Sequence, residues 1–255
     1  MRIFFLGNNW VAWRALQYLR KRNEDIVGLA VHPEGKRRYY NEIIAAAEMV
    51  PGRIFDGSKL KSEVVFRRIE SLKPDIGLSI LFDYILSNEF INLFPKGIIN
   101  LHPSFLPYNR GQYPNVWSIV EGTPSGVTLH HLDEGIDTGD IIAQREVQTE
   151  STDTGETLYR KLESSSIKLF QEYWPLIREG QKLRRPQARL KGTYHPRKDV
   201  EKIDEIHLDR EYRARDLLNV IRARTFPPYK GAYYWNGKER IYLRLQLLRE
   251  EDLGG

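Results

Sequence analysis

The 255-residue chain contains no cysteine. That excludes a disulfide framework, a thiolate nucleophile and a zinc–thiolate site, and it suits a reducing compartment such as the cytoplasm. No apolar run approaches the length needed to span a bilayer. The opening MRIFFLGNNWVAW has too short an apolar core for a secretion signal and no small-residue cleavage pattern. A soluble, cytoplasmic protein is therefore expected. Also missing is a G-x-G-x-x-G fingerprint: the first apolar run ends in G-N-N-W at residues 7–10. Without glycines that let a backbone approach a pyrophosphate, a nicotinamide enzyme is disfavoured. There is no internal repeat and no low-complexity segment.

What is present is ordinary for a soluble protein: 41% hydrophobic and 29% charged residues, with a formal charge of +5. The charge is uneven. Residues 178–202 hold nine Lys and Arg against three Asp and Glu, so the remainder is close to neutral. Such a patch attracts phosphate-bearing partners, although a solvated basic connector is the more frequent reading.

Apolar runs at 2–6, 25–31, 53–55, 75–81 and 98–102 read as strands, with helical periodicity over 8–20, 39–48, 60–72, 89–93 and 113–121. Ser87 is placed to cap the fourth helix, and Asp153, with Glu156 three residues on, to cap a long helix that runs to about residue 179. Strand–helix alternation at this spacing predicts an α/β fold, a Rossmann-like, mostly parallel sheet with right-handed crossovers. A catalytic domain is expected over 1–190. Residues 191–255 are expected to form a linker and a small C-terminal α+β tail: a helix over 212–222, then runs 232–235 and 241–248 around Asn236-Gly237, a hairpin signal.

The chemistry concentrates in residues 97–147. On a strand over 98–102, Asn100 and His102 lie two apart and point to one face, and Pro103 ends the ladder. A second strand over 126–132 feeds the acidic loop Asp133-Glu134-Gly135-Ile136-Asp137-Thr138-Gly139. Such a loop can return a carboxylate to the histidine, and carboxamide, imidazole and carboxylate together are suited to polarising a carbonyl. In open sheets, ligands bind beyond the carboxyl ends of the strands, where these residues fall. Adjacent His130 and His131 point to opposite faces of a strand and cannot both bind one ion, so no metal is expected. Asn8, Asn9 and Trp10 sit at the mouth of the first strand, where a turn and helix cap is the competing role.

N-L-H-P-S-F-L-P-Y-N-R-G followed by G-V-T-L-H-x-L-D-E-G-I-D-T-G-D-I resembles the folate-dependent formyltransferases. These formylate glycinamide ribonucleotide, initiator methionyl-tRNA, nucleotide-linked amino sugars or peptide-synthetase starter units. The resemblance implies Asn100, His102 and Asp137 as catalytic residues. It implies 10-formyltetrahydrofolate as co-substrate without a metal, its pterin held by Leu81, Phe82, Tyr84 and Ile85 and by Asp133, Gly135 and Ile136. The intermediate length and small tail are most like the nucleotide-sugar N-formyltransferases, as is the turn at Tyr108, Asn109, Arg110 and Gly111. The expected acceptor is then a 4-amino or 3-amino dideoxy sugar on UDP or dTDP, with Asn9, Trp10, Tyr108, Asn109, Arg110 and Tyr113 as substrate-binding residues. Tyr229, Tyr233 and Trp235 are candidates for stacking on the nucleobase or for packing the tail. No nucleic-acid or membrane partner is expected, and paired tails offer a route to a homodimer. Two alternatives remain open: an aminoacyl, carrier-bound or tRNA-bound amine as acceptor, the carrier being suggested by P-x-x-W-S at 114–118, and a folate-binding regulator without turnover.

Overall fold

The computed structural model describes residues 1–187 and 191–254. In chain order the strands are β1 (Arg2–Gly7), β2 (Asp25–Val31), β3 (Ile54–Asp56), β4 (Ile76–Ile80), β5 (Ile98–His102), β6 (Arg110–Gly111), β7 (Gly126–His131), β8 (Ile141–Glu146), β9 (Tyr194–His195), β10 (Tyr233–Asn236) and β11 (Glu239–Tyr242). The helices are α1 (Asn9–Lys21), α2 (Tyr40–Ala47), α3 (Glu63–Ser71), α4 (Asn88–Asn92), α5 (Pro114–Glu121), α6 (Gly155–Arg178), α7 (Glu201–Asp204) and α8 (Ala214–Ala223). They group into two compact units. Two stretches, Pro103–Gly126 and Glu146–Leu162, join Lys191–Gly255 in the second unit.

The first unit (Met1–His102, Val127–Arg145, Glu163–Leu190) is built on a seven-stranded sheet in the order β3-β2-β1-β4-β5-β7-β8. Strands β1 to β5 run parallel. After their first residues, β1 and β2 are buried throughout, as is all of β4, which is why they read as continuous apolar runs rather than alternating ones. Phe4, Phe55, Phe66, Phe90 and Phe94 make one core on a single side of the sheet. Helix α1 buries Val11, Ala12, Ala15, Leu16 and Leu19, the 3.6-residue stripe visible in the sequence. Ser87 caps α4 by accepting the Phe90 N–H at 3.3 Å.

Three features depart from the sequence reading. Strand β7 is antiparallel to β5, with Ile99 opposite His131 and His102 opposite Thr128. The helix between them, α5, belongs to the second unit and is not the crossover of a βαβ unit. Strand β8 extends the sheet beyond β7, whereas no strand was expected there. Thr154, not Asp153, caps α6. Its Oγ1 accepts the Thr157 N–H at 3.3 Å and Thr157 Oγ1 accepts the Thr154 N–H at 2.9 Å, while the Asp153 carboxylate takes the Glu150 N–H and the Lys161 ammonium.

In the second unit α5 packs on α8, and the Asn115 carboxamide donates to the Gly155 carbonyl at 2.8 Å. Arg222 donates to the carbonyls of Glu150 (3.0 Å) and Asp153 (2.8 Å). The Trp117 and His195 rings stack with centroids 4.0 Å apart. In the hairpin Asn236 lies opposite Glu239, so the two-residue turn is Gly237-Lys238 rather than Asn236-Gly237. Gly237 (φ +62) holds its first position, where a left-handed conformation favours glycine. Strand β11 ends at Tyr242, so the second arm is shorter than the apolar pattern to 248 suggests.

Candidate active site

The site is set by register. Asn100 and His102 share one face of β5, and antiparallel pairing puts His130 opposite Asn100 and Thr128 opposite His102 on the same face. Strand β7 ends beside the start of β5, so Asp137 does not arrive from a neighbouring carboxyl end. Instead the 132–140 loop folds back over the face. Asp137 Oδ2 lies 3.5 Å from His102 Nε2 and its Oδ1 3.5 Å from His130 Nε2. These three side chains are 12%, 9% and 0% exposed, so their charges interact through little solvent.

His130, which the sequence offers only as half of a metal pair that cannot form, contacts both Asn100 and Asp137. Its Nδ1 lies 2.9 Å from the His131 carbonyl oxygen, which only accepts, so that nitrogen carries the proton. In the neutral ring Nε2 then accepts the Asn100 Nδ2–H at 3.1 Å. This orients the carboxamide with its second N–H unspent on His130, and leaves His102 as the ring able to donate to Asp137. Antiparallel pairing of 98–102 with 126–131 is the signal that finds His130, since it places position 130 against position 100.

His131 faces the other way, beside Asp140 and Arg184. Burial, reinforced by Arg184, pushes its imidazole pKa down to about 4, with Asp140 opposing. Among the described residues no group of three or more His, Cys, Asp or Glu is disposed to hold a metal ion.

The expected folate segments divide. Ile80 lies opposite Leu101, so the parallel register brings Leu81 (φ +49) out of β4 beside the carboxyl end of β5. Tyr84 is half-buried and Ile85 is 72% exposed. Phe82, by contrast, is buried in the core against Gly57 and beneath His32, so its ring is a support and not a lining residue. His32 stacks on Tyr84 at 5.0 Å, and burial holds its pKa below the usual value. In the acidic loop Ile136 is exposed, while Asp133 Oδ1 accepts the Gly135 N–H (3.1 Å) and the Thr138 hydroxyl (2.7 Å), shaping the turn.

The expected acceptor residues also divide. Asn9 is buried, and its Oδ1 accepts the Val11 N–H (2.9 Å) and the Ala12 N–H (3.4 Å), so the oxygen caps α1. Trp10 is half-buried with Arg14 over its ring. In the second unit Asn109 is 0% exposed; its Nδ2 donates to Ser118 (3.0 Å) and Thr123 (2.8 Å) and its Oδ1 accepts from Thr193 (3.1 Å). That carboxamide organises its own loop and is not a substrate contact. Tyr108, Arg110 and Tyr113 are half-buried. The tail aromatics largely satisfy one another: Tyr233 contacts Trp235 and Tyr242, and Arg240 lies over Tyr233 and Trp235.

Residues 1–173 match the family described as formyl transferase, and residues 199–249 match the N-formyltransferase dimerization C-terminal domain. The chain belongs to the formyltransferase family. It is an enzyme of formyl transfer, and Asn100, His102 and Asp137 lie within the matched residues. A curated relative, the methionyl-tRNA formyltransferase of Desulforamulus reducens, is 33% identical over 249 residues, covering 93% of this chain and 76% of that one. Among solved structures, a 4-N formyltransferase from Francisella tularensis is 26% identical with TM-score 0.81, covering 97% of this chain and 98% of that one. The formyltransferase PseJ from Anoxybacillus kamchatkensis, solved with UDP-4,6-dideoxy-4-formamido-L-AltNAc and tetrahydrofolate, is 34% identical with TM-score 0.58, covering 79% of this chain and 89% of that one.

Proposed function

We propose that this enzyme transfers a formyl group from 10-formyltetrahydrofolate to the amine of a UDP- or dTDP-linked 4-amino or 3-amino dideoxy sugar. The observation that carries the chemistry is the meeting of Asn100 and His102, on one sheet face, with Asp137 from the loop over it. Two likenesses favour the sugar acceptor and the 4-amino position: the 4-N enzyme over nearly the whole chain, and PseJ with its UDP-formamido sugar. The tail matches a dimerization domain, which supports a homodimer.

The folate supplies the formyl carbon, a poor electrophile. Attack by the amine places negative charge on the formyl oxygen. The second N–H of Asn100, oriented by His130, and a protonated His102 are the donors for that oxygen. Asp137 favours the imidazolium and fixes its direction. A 3.5 Å separation is longer than a tight hydrogen bond, and such contacts commonly shorten once substrate is bound. The new bond joins the amine nitrogen to the formyl carbon and the folate nitrogen leaves. The proton lost by the amine passes through Asp137, His102 or a held water to the leaving nitrogen. Leu81, Tyr84, Ile85 and Ile136 would hold the pterin, and Tyr108, Arg110 and Tyr113 the nucleotide sugar, a guanidinium suiting paired phosphate oxygens.

A test of the donor pair is Asn100→Ala. Losing one oxyanion donor costs about 3–4 kcal/mol, so turnover should fall by roughly 10²- to 10³-fold. Folinic acid should bind as it does to the wild type, and near-normal turnover would refute the role. A second reading, methionyl-tRNA as acceptor, is favoured by the D. reducens relative. It predicts retention of tRNA by the enzyme that weakens steeply with salt.

A further inference from the structure

The loop that carries Asp137 hangs from a narrow neck. There the His131 N–H donates to the Asp140 carbonyl (2.9 Å) and the Leu132 N–H to the Ile98 carbonyl (2.8 Å). Asp137 itself holds φ +54, a left-handed conformation that costs a residue with a side chain. Gln187 reaches the Asp137 peptide. Its Nε2 donates to the Asp137 carbonyl at 3.2 Å and to the Gly139 carbonyl at 2.6 Å, spending both N–H groups on the loop backbone on either side of Thr138. Gln187 is 3% exposed, so these bonds form away from water. Its own backbone is anchored two residues earlier, where Arg185 and Ile141 exchange hydrogen bonds at 2.8 and 2.9 Å along the edge of β8. Arg185 also pairs with Gln144, and Arg184 lies 3.5 Å from Asp140. The start of the basic stretch is thus a strap laid along the sheet and not a free connector.

We propose that Gln187 is a positioning residue for formyl transfer, holding the Asp137 carboxylate against His102 by clamping the Asp137 backbone. The inference rests on Asp137 acting as proposed above. A side chain needed only to fill space would be apolar here, because burying a carboxamide is costly unless its donors are used. Both donors end on carbonyls of the segment that bears Asp137.

The test is a double-mutant cycle on the full-length enzyme with Gln187→Met, which keeps the volume and removes both donors, and Asp137→Asn. A misplaced group costs on the order of 10- to 100-fold in rate, so Q187M should lower kcat by about that factor while both KM values stay within about twofold. In the D137N background Q187M should cost nothing more, because the two act through one carboxylate. The His102 imidazole titration, followed by NMR, should move in the same direction in Q187M as in D137N. If Q187M does not fold, Gln187→Asn, which draws the amide back by one methylene, carries the same comparison. Unchanged kcat, or a loss that simply multiplies with that of D137N, would overturn the proposal. D137N with near-normal turnover would instead overturn the reading of Asp137.

Discussion

In the proposed mechanism the Asn100 carboxamide is turned by His130, whose Nδ1 proton is committed to the His131 carbonyl. This chain of orientation predicts that His130→Phe, which keeps a ring and removes the acceptor, lowers kcat by about tenfold, the scale of losing one orienting hydrogen bond of about 1 kcal/mol or somewhat more. Steady-state kinetics against wild type checks it; an unchanged kcat would show that Asn100 is oriented by other contacts. The neighbouring His131 carries a pH prediction. Its pKa is lowered to about 4 by burial, so between roughly 6.5, the ordinary value, and 4 the unfolded chain binds a proton that the folded chain refuses. Stability is unaffected by this group above that window, falls as pH drops through it, and has lost the whole contribution below it. His131→Leu should flatten the fall in melting temperature between pH 6.5 and 4, and an unaltered slope would place the acid sensitivity elsewhere.

Among the elements, the loop after β7 is tightly enclosed at its neck. A Cβ at Gly139 would overlap the His131 carbonyl, so the neck closes only around a glycine. Gly139→Ala should destabilise the fold by about 1–3 kcal/mol and reduce kcat, measured by thermal unfolding alongside turnover. Elements were legible in the sequence in proportion to how locally they are determined. Strands β1, β2 and β4 are near-continuous apolar runs because parallel strands are covered on both faces, and α1 declares itself by periodicity. The direction of β7 was not legible: a helix between two strands signals a parallel crossover, whereas β7 pairs antiparallel with β5 and α5 belongs to the second unit. Strand β8, IIAQRE, is half-buried with a short alternation that an adjacent acidic motif obscures. Asn100, His102 and Asp137 stand in a motif and could be read directly. His130 required the register, and Gln187, fifty residues from Asp137, has no local signature. Asn9, Phe82 and Asn109 carried no sequence signal of their burial: the Asn9 oxygen caps α1, Phe82 packs in the core, and Asn109 ties its loop to Ser118, Thr123 and Thr193.

At the scale of the whole molecule, the second unit leaves aromatic surface uncovered: Trp235 is 42% and Tyr242 39% exposed on the hairpin, within the residues matching a dimerization domain. If that surface joins two copies, Trp235→Glu should shift the sedimenting species from dimer to monomer, burying a charge in an apolar contact being costly. A dimer that persists would place the interface elsewhere in the tail. The most direct test of the account is formyl transfer itself. The enzyme would be given 10-formyltetrahydrofolate with UDP- and dTDP-linked 4-amino and 3-amino dideoxy sugars, and methionyl-tRNA in parallel, with products read by mass. The account predicts one nucleotide sugar gaining a formyl group while methionyl-tRNA stays unmodified; formylated methionyl-tRNA with every sugar untouched would contradict it.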